Sequence, residues 1–325
     1  MPRLVGITCG HGGSPSLAAH LVELSSARLG TNDLGQGWGG LRGAETIKGA
    51  LRLLGRAFPR EPGDRVVVFC YHSIHPSIPF RSATPELFSD HLAWLREHCE
   101  CVLFSQLLTA RQRKGNGLPI VSITFDDGYA DNHEYALSLL AQYGIPATFF
   151  LTAGFLDGDE ATLERFQRLR RMDKGEIRPL DWSQVNEILE AGFEVGAHSY
   201  SHPNLARLPG RNLQDELGRS RRVIEDRVGR PVSMMAYPFG RPRVHFTPEV
   251  VSAVQRAGYD LAGAIGTRGV KRTDHPLSVP RVFVSNDSVE VLRDKVLGVW
   301  DLIDTVREKM PLAVSRAVSP ADFRV

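Results

Sequence analysis

Cysteine is scarce in this chain of 325 residues: Cys9, Cys70, Cys99 and Cys101 are the full set. Their spacing matches neither a Cys-x-x-Cys metal knuckle nor a dense disulfide framework, so they read as reduced thiols. No apolar run approaches the ~20 residues a membrane-spanning helix requires. The stretch Met1 to Leu21 is interrupted by Gly10, His11, Gly12 and Gly13 and lacks the continuous apolar core of a signal peptide, which gives a cytoplasmic expectation. Excess charge is missing too. Lysine and arginine number 39 against 37 acids, a net charge of +2 that removes any general electrostatic case for nucleic-acid binding. Internal repeats and low-complexity tracts are also lacking.

What is present divides at about residue 63. Residues 1–63 are glycine-rich and irregular, with one strand-like run (Leu4 to Cys9) and two helix-like stretches (Ser16 to Arg28, Glu45 to Phe58). They read as an N-terminal extension. In the second stretch Ile47, Leu51, Leu53, Leu54 and Phe58 lie beside Lys48, Arg52, Arg56 and Arg60, a pattern that reads first as a helix packed on the main domain and is compatible with peripheral contact with an anionic membrane or a partner. From Asp64 to Val325, short β-branched runs alternate with amphipathic stretches, the signature of parallel β/α architecture. Strands are expected at Val66–Tyr71, Val102–Phe104, Ile120–Phe125, Ala147–Leu151, Phe193–Ala197, Met234–Tyr237, Leu261–Ala264 and Val279–Val284. Helices are expected at Pro85–His98 behind a Thr84 cap, Asn132–Tyr143, Ser183–Ala191, Leu213–Val228 and Val289–Arg307. Seven or eight such units imply an α/β barrel, whose chemistry gathers at the C-terminal strand ends.

Three polar clusters fall at those ends. Asp126 and Asp127 follow the run Val121 to Phe125; alone, the pair would also suit a turn with a helix cap. His198 and His202 follow Phe193 to Ala197, and histidines four apart can share one face of a helical turn. Together with Asp127 they make a three-ligand set with positions open for water and substrate. Tyr237, Pro238, Phe239 and Gly240 form the third cluster. An ordinary proline–glycine turn would account for it, or a backbone oxyanion donor with aromatic walls for a sugar. The run Arg165, Arg168, Arg170, Arg171 and Lys174 reads as a solvated helix face or a phosphate contact.

These residues, taken together, resemble the polysaccharide deacetylases with NodB homology, carbohydrate esterase family four. Ser122 to Tyr129, extended by Pro146 to Phe150, is similar to the first family motif, Gly196 to Pro203 to the second and Tyr237 to Gly240 to the third, in the family's order. The resemblance implies a distorted (β/α) barrel with Asp126 as general base and Asp127, His198 and His202 as ligands of one divalent metal. Zinc fits two imidazoles and a carboxylate, and cobalt, nickel, manganese and iron take the same donors. Two features depart from the family. Ala236 stands where many members carry an arginine that pairs with the base, and Arg281 is the candidate replacement. The late Leu-x-His motif is missing. The Tyr71-His72 ending of the first strand resembles a permuted branch of the family, which makes His72, as an imidazolium, the general-acid candidate, with His75 its neighbour in sequence. Tyr129, Tyr237, Phe239 and Arg281 complete the expected substrate or oxyanion contacts. The implied activity is release of acetate from an N-acetylated sugar, glycolipid or lipid-linked sugar. A cyclic imide or another non-sugar amide would suit the same fold, and a non-catalytic carbohydrate-binding module is the reading outside enzymology.

Overall fold

A strand sends alternate side chains to opposite faces, and here that alternation separates two buried layers. The computed structural model describes residues 65–113, 117–171, 177–299 and 301. Its strands are β1 (Val66–Tyr71), β2 (Glu100–Cys101), β3 (Ile120–Phe125), β4 (Ala147–Leu151), β5 (Glu194–Ala197), β6 (Met234–Ala236), β7 (Leu261–Gly266) and β8 (Val279–Phe283). Val67, Phe69, Val121, Ile123, Phe149 and Leu151 belong to one apolar cluster with the helical residues Phe88, Leu92, Val185, Ile188 and Leu217. Val66, Val68, Ile120, Phe150, Met234, Ala236, Leu261 and Val279 belong to a second, which is the filling of the barrel. Along that inner file the aliphatic residues give way to polar ones toward the C-terminal strand ends: Cys70 and His72 follow Val68, and Thr124 and Asp126 follow Ile120 and Ser122. This gradient places the polar residues at one mouth of a packed core.

All pairings between these strands are parallel. The strands run in the order β1-β8-β7-β6-β5-β4-β3-β2, and β1 also pairs with β3, which closes a seven-stranded barrel. β2 is not a stave. It lies against the first half of β3, at Ile120 and Val121, where β4 joins only from Ile123 onward. The strand expected at Val102–Phe104 therefore sits two residues earlier, and Phe104–Gln106 form a 3-10 turn. Closure makes β1 the neighbour of β3 on one side and β8 on the other, so the first strand delivers its C-terminal residues to the same mouth as Asp126.

The connecting helices are α1 (Pro85–His98), α2 (Leu137–Tyr143), α3 (Glu160–Arg170), α4 (Trp182–Glu190), α5 (Gly210–Val228), α6 (Pro248–Arg256) and α7 (Val289–Val296). The caps follow sequence chemistry. Thr84 accepts the Leu87 amide at 3.2 Å ahead of Pro85, and Asp181 and Gln184 form a capping box on α4. The helix expected over Asn132–Tyr143 opens with a wide π-type turn, Asn132–Ala136, before α2. The expected N-terminal extension of residues 1–63, Lys174 and the chain beyond Asp301 lie outside the described residues. Among the described residues no helix is long and apolar enough to cross a membrane.

Candidate active site

Two consecutive residues on a strand would face opposite ways, yet Asp126 and Asp127 serve the same cavity. The reason is backbone conformation: Asp127 adopts φ 75° and Gly128 φ 86°, both left-handed, which ends β3 and turns the second carboxylate back. Non-glycine residues rarely hold such angles, and here Ser199 (φ 63°), His202 (φ 55°) and Phe239 (φ 60°) do so as well. Strain of this kind persists where the surroundings over-determine it, and it gathers at functional sites.

Asp127, His198 and His202 converge. Asp127 Oδ1 lies 3.5 Å from His198 Nε2 and 3.4 Å from His202 Nε2. That oxygen is buried and has no hydrogen-bond partner among the described residues. The histidines meet through a loop rather than the helical turn expected from their spacing, because Ser199 and His202 are left-handed. Ser199 Oγ accepts the His202 amide at 3.1 Å, and Glu216 of α5 accepts the Ser201 amide at 2.6 Å. His198 Nδ1 donates to the Ala236 carbonyl at 2.9 Å, which orients the ring with Nε2 toward Asp127. Burial lowers the His202 pKa to about 3, against the pull of Asp127, so its imidazole is neutral. Two imidazoles and one carboxylate oxygen within 4.8 Å of one another fit a divalent cation. Burial pushes the Asp127 carboxyl up, but the Arg170 guanidinium bonded to it helps hold the group well below the usual carboxylate range.

Asp126 has different company. Arg281, fully buried in β8, donates to Oδ1 at 2.6 Å and Oδ2 at 2.7 Å, with a further bond to Thr124 Oγ1 at 3.0 Å. Its side chain crosses the barrel interior past Gly263, where a Cβ would stand 2.5 Å from Arg281 Nε. The charge absent at Ala236 thus reaches Asp126 from two strands away. The Cys70 thiol adds a third donor, 3.3 Å from Oδ2. Burial raises the Asp126 pKa, and Arg281 more than reverses this, bringing it to about 2.

His72 sits beside this clamp. Its amide donates to Ser82 Oγ at 2.8 Å, its carbonyl accepts from Asn132 Nδ2 at 2.7 Å, and its ring packs edge-on to Phe283. His72, Cys70 and Asp126 offer polar atoms within 4.8 Å of one another. Burial lowers the His72 pKa to about 4, partly offset by Asp127 and Asp126, so at neutral pH it is an imidazole and not the expected imidazolium. His75 is engaged elsewhere: its Nδ1 accepts the Ser77 and Ile78 amides.

The remaining expected contacts divide. Phe239 is half-buried with its ring 4.7 Å from that of His202, and its amide makes no hydrogen bond among the described residues. Tyr237 faces the outer layer, since Ala236 takes the inward position: its ring stacks on Phe246 at 3.9 Å, its phenol donates to the Leu277 carbonyl and its amide to Gly263. Tyr129 is also buried, and its phenol oxygen accepts from Arg170 Nε at 2.8 Å. Arg170, read from sequence as one of a basic run, turns into the site, whereas Arg168 stays exposed and pairs with Glu164.

The polysaccharide deacetylase family model matches residues 113–262, the span that carries Asp126, Asp127, His198 and His202. Over that span the chain resembles a polysaccharide deacetylase domain. YxkH of Bacillus subtilis (strain 168) is 25% identical over 223 residues, 68% of this chain and 72% of that protein. The poly-beta-1,6-N-acetyl-D-glucosamine N-deacetylase of Staphylococcus aureus (strain MRSA252) is 23% identical over 231 residues, with the same coverage of 68% and 72%. The structure of the Streptococcus pyogenes deacetylase PplD superposes with a TM-score of 0.61 at 20% identity, covering 74% of this chain and 99% of that one. That likeness fixes the deacetylase barrel as the fold, with β1 preceding the matched span and completing the mouth.

Proposed function

We propose that the chain hydrolyses the N-acetyl group of an N-acetylated hexosamine in a polymer or glycoconjugate, with one divalent cation held by Asp127, His198 and His202. The observation that carries this reading is the lone, buried Asp127 Oδ1 facing two imidazole nitrogens, next to a second carboxylate whose oxygens are already taken by an arginine. When bound, such a cation polarises the acetyl carbonyl and brings the pKa of water toward neutrality.

The chain's own groups supply the rest. Asp126 is ionised above about pH 2 and receives a proton from the attacking water as the new C–O bond forms. Cleavage of the C–N bond requires a proton on the departing nitrogen. His72, neutral at rest and clustered with Asp126, relays the proton gained by the carboxylate to the amine. No outside acid is needed, and the products are acetate and an amino sugar. The Phe239 amide, free of other bonds, is the candidate donor for the oxyanion. The Staphylococcus aureus relative makes β-1,6-linked N-acetylglucosamine the first substrate to try.

The test is acetate release from N-acetylglucosamine oligomers, polymeric and lipid-linked, before and after chelation and zinc or cobalt re-addition. Acetate and free amine should appear in equal amounts, vanish on chelation and return with metal. Activity indifferent to chelation would remove the cation from the reaction, and silence on every N-acetyl hexosamine would remove the substrate class.

A further inference from the structure

Helix α3 ends inside the site. Its buried positions Thr162 and Phe166 are four residues apart, and Arg170 extends the same stripe by one more turn. Phe166 packs against the His202 ring at 5.2 Å, so one helix touches two of the three convergent groups. The Arg170 side chain is 19% exposed. Its fork has two targets: one terminal nitrogen donates to Asp127 Oδ2 at 2.7 Å while Nε donates to the Tyr129 phenol at 2.8 Å. The guanidinium also lies 4.9 Å from the Phe80 ring centroid and 5.7 Å from that of Tyr129. An ammonium could not make this planar, two-target arrangement.

We propose that Arg170 is a positioning residue for the cation site: by holding Asp127 Oδ2 it presents Oδ1 alone to the space between His198 and His202. A carboxylate free to rotate can chelate a cation through both oxygens. With Oδ2 occupied, Asp127 gives one oxygen, and the coordination position that a second would fill stays open for water and the acetyl oxygen. Tyr129 and Phe80 keep the guanidinium from swinging away, which assigns the buried Tyr129 a role behind the ligand rather than against the sugar. Outer partners of this kind typically alter metal affinity or activity by about 10–100-fold when removed.

This rests on the ligand set proposed above, so the experiment includes His202→Ala as a separate arm. Zinc affinity of the full chain is measured by chelator competition for the parent, Arg170→Gln, Arg170→Lys and His202→Ala, alongside kcat and KM for acetate release. Arg170→Gln is expected to weaken zinc binding about tenfold and to lower kcat more than KM rises, with Arg170→Lys between it and the parent. His202→Ala should lose zinc altogether. If Arg170→Gln binds zinc as tightly as the parent, or more tightly, while His202→Ala loses it, the positioning role is overturned and the ligand set stands. If His202→Ala keeps its zinc, the ligand set itself falls, and the role of Arg170 with it.

Discussion

Asp126 and Asp127 are consecutive, equally buried and both held low in pKa by arginine, yet the fold surrounds them differently. On the β1 and β8 side, Arg281 grips both oxygens of Asp126 and the Cys70 thiol adds a third donor. On the α3 and β5 side, Arg170 takes only one oxygen of Asp127 and leaves the other facing two imidazoles. A carboxylate bonded at both oxygens to a cationic fork has little left with which to ligate a metal but retains a lone pair for a proton. A carboxylate bonded at one oxygen is a ready ligand. The division of labour we propose for them therefore rests on the hydrogen-bond partners, not on the Asp-Asp sequence.

The contrast breaks most visibly if the Asp127 side is removed. Asp127→Ala, His198→Ala and His202→Ala should each lose metal and essentially all turnover while keeping a folded barrel, because these residues lie past the strand ends rather than in the packed core. Elemental analysis checks it: full metal content in all three variants would dissolve the distinction between the two carboxylates.

Asp126→Asn should do the reverse. The amide is nearly isosteric and cannot take a proton, so metal content is expected to hold while kcat falls by roughly 10²–10⁴. His72→Ala should likewise keep its metal, and it should lose far more turnover on an N-acetyl sugar than on an acetyl ester whose good leaving group needs little protonation. Equal losses on both substrates would assign His72 to positioning.

Arg281→Gln sharpens the Asp126 side. Removing one partner of a buried ion pair costs about 3–5 kcal/mol, because the other charge is stranded, so thermal stability should drop markedly. The pH dependence gives the sign. In the parent, the Asp126 pKa of about 2 lies below its ordinary 3.8, so ionised Asp126 contributes stability that is present above pH 3.8 and lost as pH falls toward 2. Without Arg281, the largest counterweight to burial is gone and the folded pKa rises. The acid limb of kcat/KM should then move to higher pH, and the stability that ionised Asp126 contributes above pH 3.8 should shrink. An unshifted acid limb would show that Arg281 does not tune the base.

Much of this was legible in the sequence. β1, β3 and β4 stand where Val66–Tyr71, Ile120–Phe125 and Ala147–Leu151 were expected, since buried parallel strands are continuous apolar runs cut off by polar residues. Short β2 was misplaced because its pairing with half of β3 is decided by tertiary contacts. Arg170 was hidden in a run of arginines, and only its spacing of four from Phe166 and eight from Thr162 separates it from exposed Arg168. The outward face of Tyr237 follows from period two once Ala236 is known to line the interior, which the motif alone does not say. Cys70 gave no motif signal at all, although it shares a strand face with Val68 and His72.

Cys70 is also where the two carboxylates should differ least from expectation. Its thiol is a weak donor at 3.3 Å, and burial pushes its pKa well up, so it stays protonated and carries no charge to the site. Arg281 already satisfies both oxygens of Asp126, and the thiol contributes only the third bond. Cys70→Ala should therefore cost about 1 kcal/mol of stability, from a weak hydrogen bond and a small void, with turnover lowered a few-fold and metal content unchanged. Cys70→Ser, which keeps a donor of similar shape, should fall between the alanine variant and the parent. Thermal melts and acetate release on the three proteins decide the matter. A fall in turnover approaching that of Asp126→Asn, in a variant that still melts near the parent, would place the thiol in the proton path and make the Asp126 side a three-residue device rather than an arginine clamp.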